Sequence, residues 1–207
     1  MFTPPEYFIF SFLIGLTGAL APGPTLIATI RSSVDRGWTA GPMVTAGHAA
    51  IETIPALLII FGLSAVFSSY TSYIAVFGGV ALVLFGILSI KPVITPFKSD
   101  NNTGKLFRNP FTAGVITSAS NPYFWLWWLT IGSGFLLDGI RGGVIMAVAF
   151  MAGHWMSDFL WFTFVSTGVS RGKKIMPEKF YGKINAVCGG FLVIFGIYYI
   201  YSVTGFT

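Results

Sequence analysis

Two histidines and two acids stand at matching spacings inside otherwise apolar stretches. His48 precedes Glu52 by four residues, and His154 precedes Asp158 by four. Residues four apart share one face of a helix, so each pair would set an imidazole beside a carboxylate. Such a group can exchange protons or bind a cation. Two imidazoles and two carboxylates are also a plausible ligand set for zinc or manganese. His48 and His154 are the chain's only histidines. An ionised acid at the centre of a bilayer costs on the order of 2.5–3.5 kcal/mol on insertion scales. Both acidic faces are therefore expected to point into a bundle, away from lipid. The plainer alternative is a hydrogen-bonded cluster that only joins helices.

A second constellation is made of prolines. Pro22, Gly23 and Pro24 form a Pro-Gly-Pro break, because each proline ring lacks a donor and clashes with the carbonyl four residues earlier. Pro24 suits the first position of a new helix, and Thr25 follows it. Asn121 and Pro122 repeat the arrangement as helix cap and first residue. Each break would leave a positive helix end with free N–H groups, which suits an anion such as a carboxylate. A simple proline kink satisfied by neighbouring helices is the bland counterpart.

The elements that must hold these residues are apolar. The chain has 207 residues, 54% hydrophobic and 9% charged, with mean hydropathy +0.77. Soluble domains carry roughly a quarter charged residues, so the deficit points to lipid as solvent. Six runs reach the roughly 17–25 residues that a spanning helix needs: about 7–30, 40–63, 72–91, 111–135, 142–166 and 184–204. They do not alternate as barrel strands do, so an all-α integral membrane protein with six transmembrane helices is predicted. Ala19-Leu20-Ala21 looks like a signal-peptide cleavage site, but Glu6 and the lack of a basic start argue against one. The net charge of +5 does not imply nucleic acid, since the basic residues fall in loops between apolar runs. The single cysteine, Cys188, forms no metal or redox motif.

Charge also orients the chain. Arg31, Arg36, Lys91, Lys98, Lys105, Arg108, Arg171, Lys173, Lys174, Lys179 and Lys183 fall on one side of the six-run layout. That is eleven of twelve basic residues, with only Arg141 opposite. The positive-inside rule then predicts both termini outside. The halves also resemble each other: a proline break, then Gly-His-x-x-x-acid at 47–52 and 153–158, then Gly-Gly…Phe-Gly-Ile at 78–87 and 189–197. Three helices per half would make these two inverted three-helix repeats, with helices 1 and 4 broken at the prolines. The expected organisation is one membrane domain over 1–207: repeat 1 at about 6–91, a cytoplasmic linker at about 92–107, and repeat 2 at about 108–204. Trp125, Trp127 and Trp128 follow the second break and either wall an outer pathway or, as the plainer reading, are outer-interface aromatics.

The Pro-Gly-Pro at 22–24 with Thr25, the run RSSVDRGWTAG at 31–41 and the Asn-Pro pair at 121–122 together resemble the LysE/RhtB family of amino-acid exporters. The resemblance covers essentially the whole chain. It implies a permease of the cell membrane that exports amino acids, generally by antiport against the proton gradient. The chain departs from the family in having Ala21, where a polar residue is frequent, and in its paired His-acid motifs. Related families of the same superfamily export metal cations with intramembrane acids.

The function expected from residues and resemblance together is a secondary-active exporter of small solutes, with amino acids first and divalent metal cations as the alternative. Pro22, Gly23, Pro24, Thr25, Asn121 and Pro122 would hold the substrate. His48, Glu52, His154 and Asp158 would couple the proton or cation, or ligate metal in the alternative. No nucleophile–base pair suggests an enzyme, and no cofactor is expected. The partners expected are a small-molecule substrate and the lipid bilayer, with no nucleic acid; a homo-oligomer is left open.

Overall fold

A computed structural model of the chain describes residues 2–21, 23–62 and 109–172, with scattered helical positions from 73 to 87 and from 183 to 201. Pro22, Cys188 and the expected linker at 92–107 lie outside the described residues. The elements are all helical: α1 (Pro4–Ala19), α2 (Pro24–Arg36), a 3-10 turn (Gly37–Thr39), α3 (Ala40–Ile60), α4 (Pro110–Ala119), α5 (Pro122–Trp127), a π turn (Trp128–Gly132), α6 (Ser133–Arg141) and α7 (Val144–Gly172).

Local chemistry explains the boundaries. Pro4, Pro24, Pro110 and Pro122 each open a helix, where a missing N–H costs nothing and the fixed φ is already helical. Asn109 and Asn121 cap α4 and α5, each side-chain oxygen accepting from the N–H two residues on, at 3.0 and 3.1 Å. At the start of α1, the Thr3 N–H donates to Glu6 at 2.8 Å. That bond, first among its causes, holds the Glu6 carboxyl below its ordinary range. Gly37 ends α2 at φ 71, a conformation that glycine adopts without a Cβ clash.

Two helical stretches among the described residues are long and apolar enough to cross a membrane, Pro24–Ile60 and Val144–Gly172. The expectation of six transmembrane helices in two inverted three-helix repeats is corrected by this finding. Its physical fault lies in counting apolar runs straight through their breaks. The run at 7–30 stops at Ala19 and restarts at Pro24, leaving α1 with 16 residues, about 24 Å of helix against a hydrocarbon core of roughly 30 Å. The run at 111–135 is divided among α4, α5, the π turn and α6. The runs at 72–91 and 184–204 fall where only scattered positions are described.

The packing divides along the long helices. Towards the start of α1, a core of large apolar side chains gathers Tyr7, Phe124, Trp127, Trp128, Leu136 and Phe150. The Tyr7 hydroxyl donates to the Phe135 carbonyl at 2.5 Å, and Ser11 Oγ to that of Phe150 at 2.5 Å. Towards the Gly37 turn many buried residues are small, among them Thr29, Ser33, Ala40, Val44, Ala113 and Ser118, with Ile30, Phe162 and Val169 as larger ones. Ser166 Oγ on α7 donates to the Trp38 carbonyl of that turn at 2.7 Å.

Candidate functional site

Helix α3 carries His48 and Glu52 on one face, and α7 carries His154 and Asp158 on one face. Glycine sets how closely these helices meet their neighbours. A Cβ at Gly47 would run into the Phe111 carbonyl of α4, and one at Gly153 into the Phe8 carbonyl of α1. Each histidine thus follows a glycine on which another helix backbone rests. Helices α3 and α7 themselves meet closely at Gly41, where a Cβ would run into the Phe162 carbonyl, and their two His-acid faces form one buried cluster.

Glu52 is its centre. Its Oε1 lies 2.7 Å from His154 Nε2 and 3.3 Å from His48 Nε2, and it accepts from Trp128 Nε1 at 3.3 Å. Asp158 Oδ2 lies 3.7 Å from His154 Nε2 and 4.0 Å from His48 Nε2. Glu52 is 1% exposed, and His154 and Asp158 are each 2% exposed. The Ser118 hydroxyl gives its single proton to the Gly114 carbonyl at 2.6 Å. Its oxygen must then accept from His48 Nδ1–H, 2.5 Å away, which turns Nε2 towards the acids. The His154 ring stacks on Trp127 at 4.5 Å and meets Trp128 edge-on at 5.3 Å. Glu52 Oε2, Asp158 Oδ2 and His154 Nδ1 have no hydrogen-bond partner.

A cavity of about 50 Å³ opens on this cluster, and its wall includes His48, Glu52, His154 and Asp158. Room for a water needs about 10–15 Å³ on this measure, so the space holds a few waters. Gly23, Thr25 and Asn121 line the same cavity, with Phe124 and Phe162 as apolar wall. A Cβ on Gly23 would sit 3.5 Å from Asn121 Nδ2, so the two helix breaks face each other. Ile27 N bonds back to Gly23 O at 3.2 Å. Pro24 and Pro122 open the helices at these breaks, and Pro22 lies outside the described residues. Thr25 Oγ1 is buried without a partner.

The cavity therefore has hydrogen-bond donors at the breaks and, on the acids, oxygens that accept no hydrogen bond. His48, Glu52 and Asp158 also present ligand atoms within 4.8 Å of one another, close enough to share one cation.

Sequence reasoning missed Ser118 and put first the less apt of its two readings of the tryptophans. Trp127 and Trp128, expected at an outer interface, are 3% and 1% exposed and pack on His154. Their position after the Asn121 break was the available signal, since a helix starting inside the protein buries its first turns.

The LysE type translocator family model matches residues 16–203. The chain is 24% identical over 199 residues to the "Putative amino acid efflux protein YcgF" of Bacillus subtilis, covering 94% of this chain and 95% of that protein. It is 26% identical over 159 residues to the "Chemotactic transduction protein ChpE" of Pseudomonas aeruginosa, covering 74% and 77%. No solved structure matches the chain. Proteins of this family are membrane-associated transporters of small solutes, not enzymes. With nearly its whole length matched, the chain belongs to the LysE type translocator family.

Proposed function

We propose that the chain is a secondary-active, multi-pass exporter whose substrate is an amino acid and whose driving ion is the proton. The observation that carries this reading is the single cavity shared by both helix breaks and the His-acid cluster. The substrate carboxylate lies at Gly23, Thr25 and Asn121, where α2 offers free N–H groups and Asn121 its amide. The ammonium lies against Glu52 Oε2 and Asp158 Oδ2, neither of which has a hydrogen-bond partner within the protein. Buried polar atoms are nearly always paired, so a cluster that served only to join helices would be expected to satisfy those oxygens. The amino-acid efflux named for the Bacillus subtilis relative agrees with this substrate class.

The same three-residue grouping of His48, Glu52 and Asp158 favours a second reading, in which a divalent metal ion is the cargo. Counterflow in proteoliposomes separates the two. Labelled amino acid should accumulate against an unlabelled internal pool, while labelled zinc or manganese should not. Metal counterflow without amino-acid counterflow would overturn the main reading.

The orientation we propose puts both termini outside the cell. Arg36 ends α2 at the Gly37 turn, and the Ser166–Trp38 bond brings that turn to the α7 end that carries Arg171. At the other end, Arg141 is paired with Asp138 at 3.0 Å. The positive-inside rule counts basic residues whether or not they are paired, so the end that carries both Arg36 and Arg171 faces the cytoplasm. Thiol labelling of Thr3→Cys in intact cells is the check: modification from outside is expected, and protection there would reverse the orientation.

A further inference from the structure

The cavity has two unlike ends. On α3, Ala56 and Ile59 follow Glu52; on α7, Phe150 precedes His154. These residues join Tyr7, Trp127 and Leu136 in a seal of large apolar side chains. In the opposite direction lies α2, which begins at the cavity with Thr25.

The buried face of α2 is mostly small and hydroxylated, with Ile30 its one large side chain. Thr25, Ala28, Thr29, Ser32 and Ser33 are all at most 6% exposed. Seven residues are almost two turns, so Ser32 continues the line of Thr25 about 10 Å further from the cavity. Thr29 and Ser33 return their protons to carbonyls of their own helix, at 2.9 and 2.5 Å. Thr25 Oγ1 and Ser32 Oγ do not: both are buried without any partner. A buried hydroxyl without a bond is unfavourable until water or a solute reaches it. These two unpaired hydroxyls lead from the cavity towards Arg36, on a face where Ile30 is the only large buried residue of α2.

We infer that solute reaches the cavity along the Thr25–Ser32 face of α2, through a hydroxyl-lined seam that is shut in this structure. Opening it moves small polar surfaces into water and supplies the missing partners of Thr25 and Ser32. Opening the aromatic end instead would expose several large rings. The seam is therefore the side on which the closed protein yields to the compartment that Arg36 faces. This inference rests on the transport reading but not on the identity of the substrate.

Thiol accessibility in oriented membrane vesicles tests it, in a chain whose Cys188 is replaced by Ser. Asp35→Cys and Asp138→Cys mark the two sides. Ser32→Cys should react with a charged, water-soluble methanethiosulfonate from the Asp35 side alone, tenfold or more slower than Asp35→Cys. Phe150→Cys should stay unmodified from that side. Thr29→Cys is the second position on the same face, should Ser32→Cys fail to fold. Reaction from the Asp138 side, or at neither position, overturns the inference. No substrate is added, so the outcome is independent of counterflow. Labelling without amino-acid counterflow would sink the substrate assignment and leave the route standing.

Discussion

Glu52→Gln is expected to lower amino-acid counterflow by at least tenfold while the protein stays folded. The substitution is close to a pure test of charge. The contacts of Glu52 from His154, His48 and Trp128 all fall on Oε1, which the amide keeps as an oxygen. The new NH₂ takes the place of Oε2, which has no partner to lose. What disappears is the carboxylate for a substrate ammonium or a coupled proton. A hydrogen bond to a charged group contributes about 1.5–3 kcal/mol, or roughly tenfold to a hundredfold in affinity. If the cluster merely joins helices, the amide should be tolerated or even stabilising, because a buried ion pair seldom outperforms a neutral replacement. Unchanged counterflow with a raised melting temperature would therefore establish the joining role and remove the site.

Among the described glycines, Gly47→Ala should be the most damaging added methyl group. Its Cβ would meet the backbone of α4 at Phe111 and Val115, and a Cβ at Gly114 would meet the backbone of α3 at Val44. Main chain on both sides cannot swing aside as the end of a side chain can. Overpacking of this kind costs about 1–3 kcal/mol. The damage extends to function, since His48 is the next residue and its Nδ1 is held by Ser118 on the same α4. Gly168→Ala is the contrast: nothing lies within 4 Å of its Cβ position on α7. Relief of glycine's entropy in a helix should there gain about 0.5–1 kcal/mol. Melting in detergent should move down for Gly47→Ala and up slightly for Gly168→Ala. Equal shifts would mean that α3 and α4 do not meet as described.

Some of this was legible before any coordinates. The family could be read from short ordered motifs, and the all-helical character from runs of apolar residues without alternation. The spacing of four says that His48 and Glu52 share a face. It cannot say that His154 comes nearer to Glu52, at 2.7 Å, than to Asp158 on its own helix, at 3.7 Å. That preference is set by how α7 meets α3, a matter of packing with no periodic signature. Ser118 was silent for the same reason, as one hydroxyl among many until α4 is laid on α3. The span count failed through physics that sequence did display. Pro24 and Pro122 restart the helix, so the apolar residues on their two sides belong to separate rods, neither of which inherits the length of the whole run.

The π turn at Trp128–Gly132 has a consequence in terms of insertions and deletions. Its wider loop accommodates one residue more than an α-helical turn, and such bulges concentrate at functional positions. Successive side chains there rotate through a smaller angle, which helps two neighbouring indoles, Trp127 and Trp128, address one imidazole. The surplus residue is thus part of the wall around His154 although it need not touch it. Losing a single codon between 129 and 132 would erase no side chain of the cluster. It would instead close the bulge into an α-helical turn, keeping Ser133 to Arg141 in register while changing how the two tryptophans frame His154.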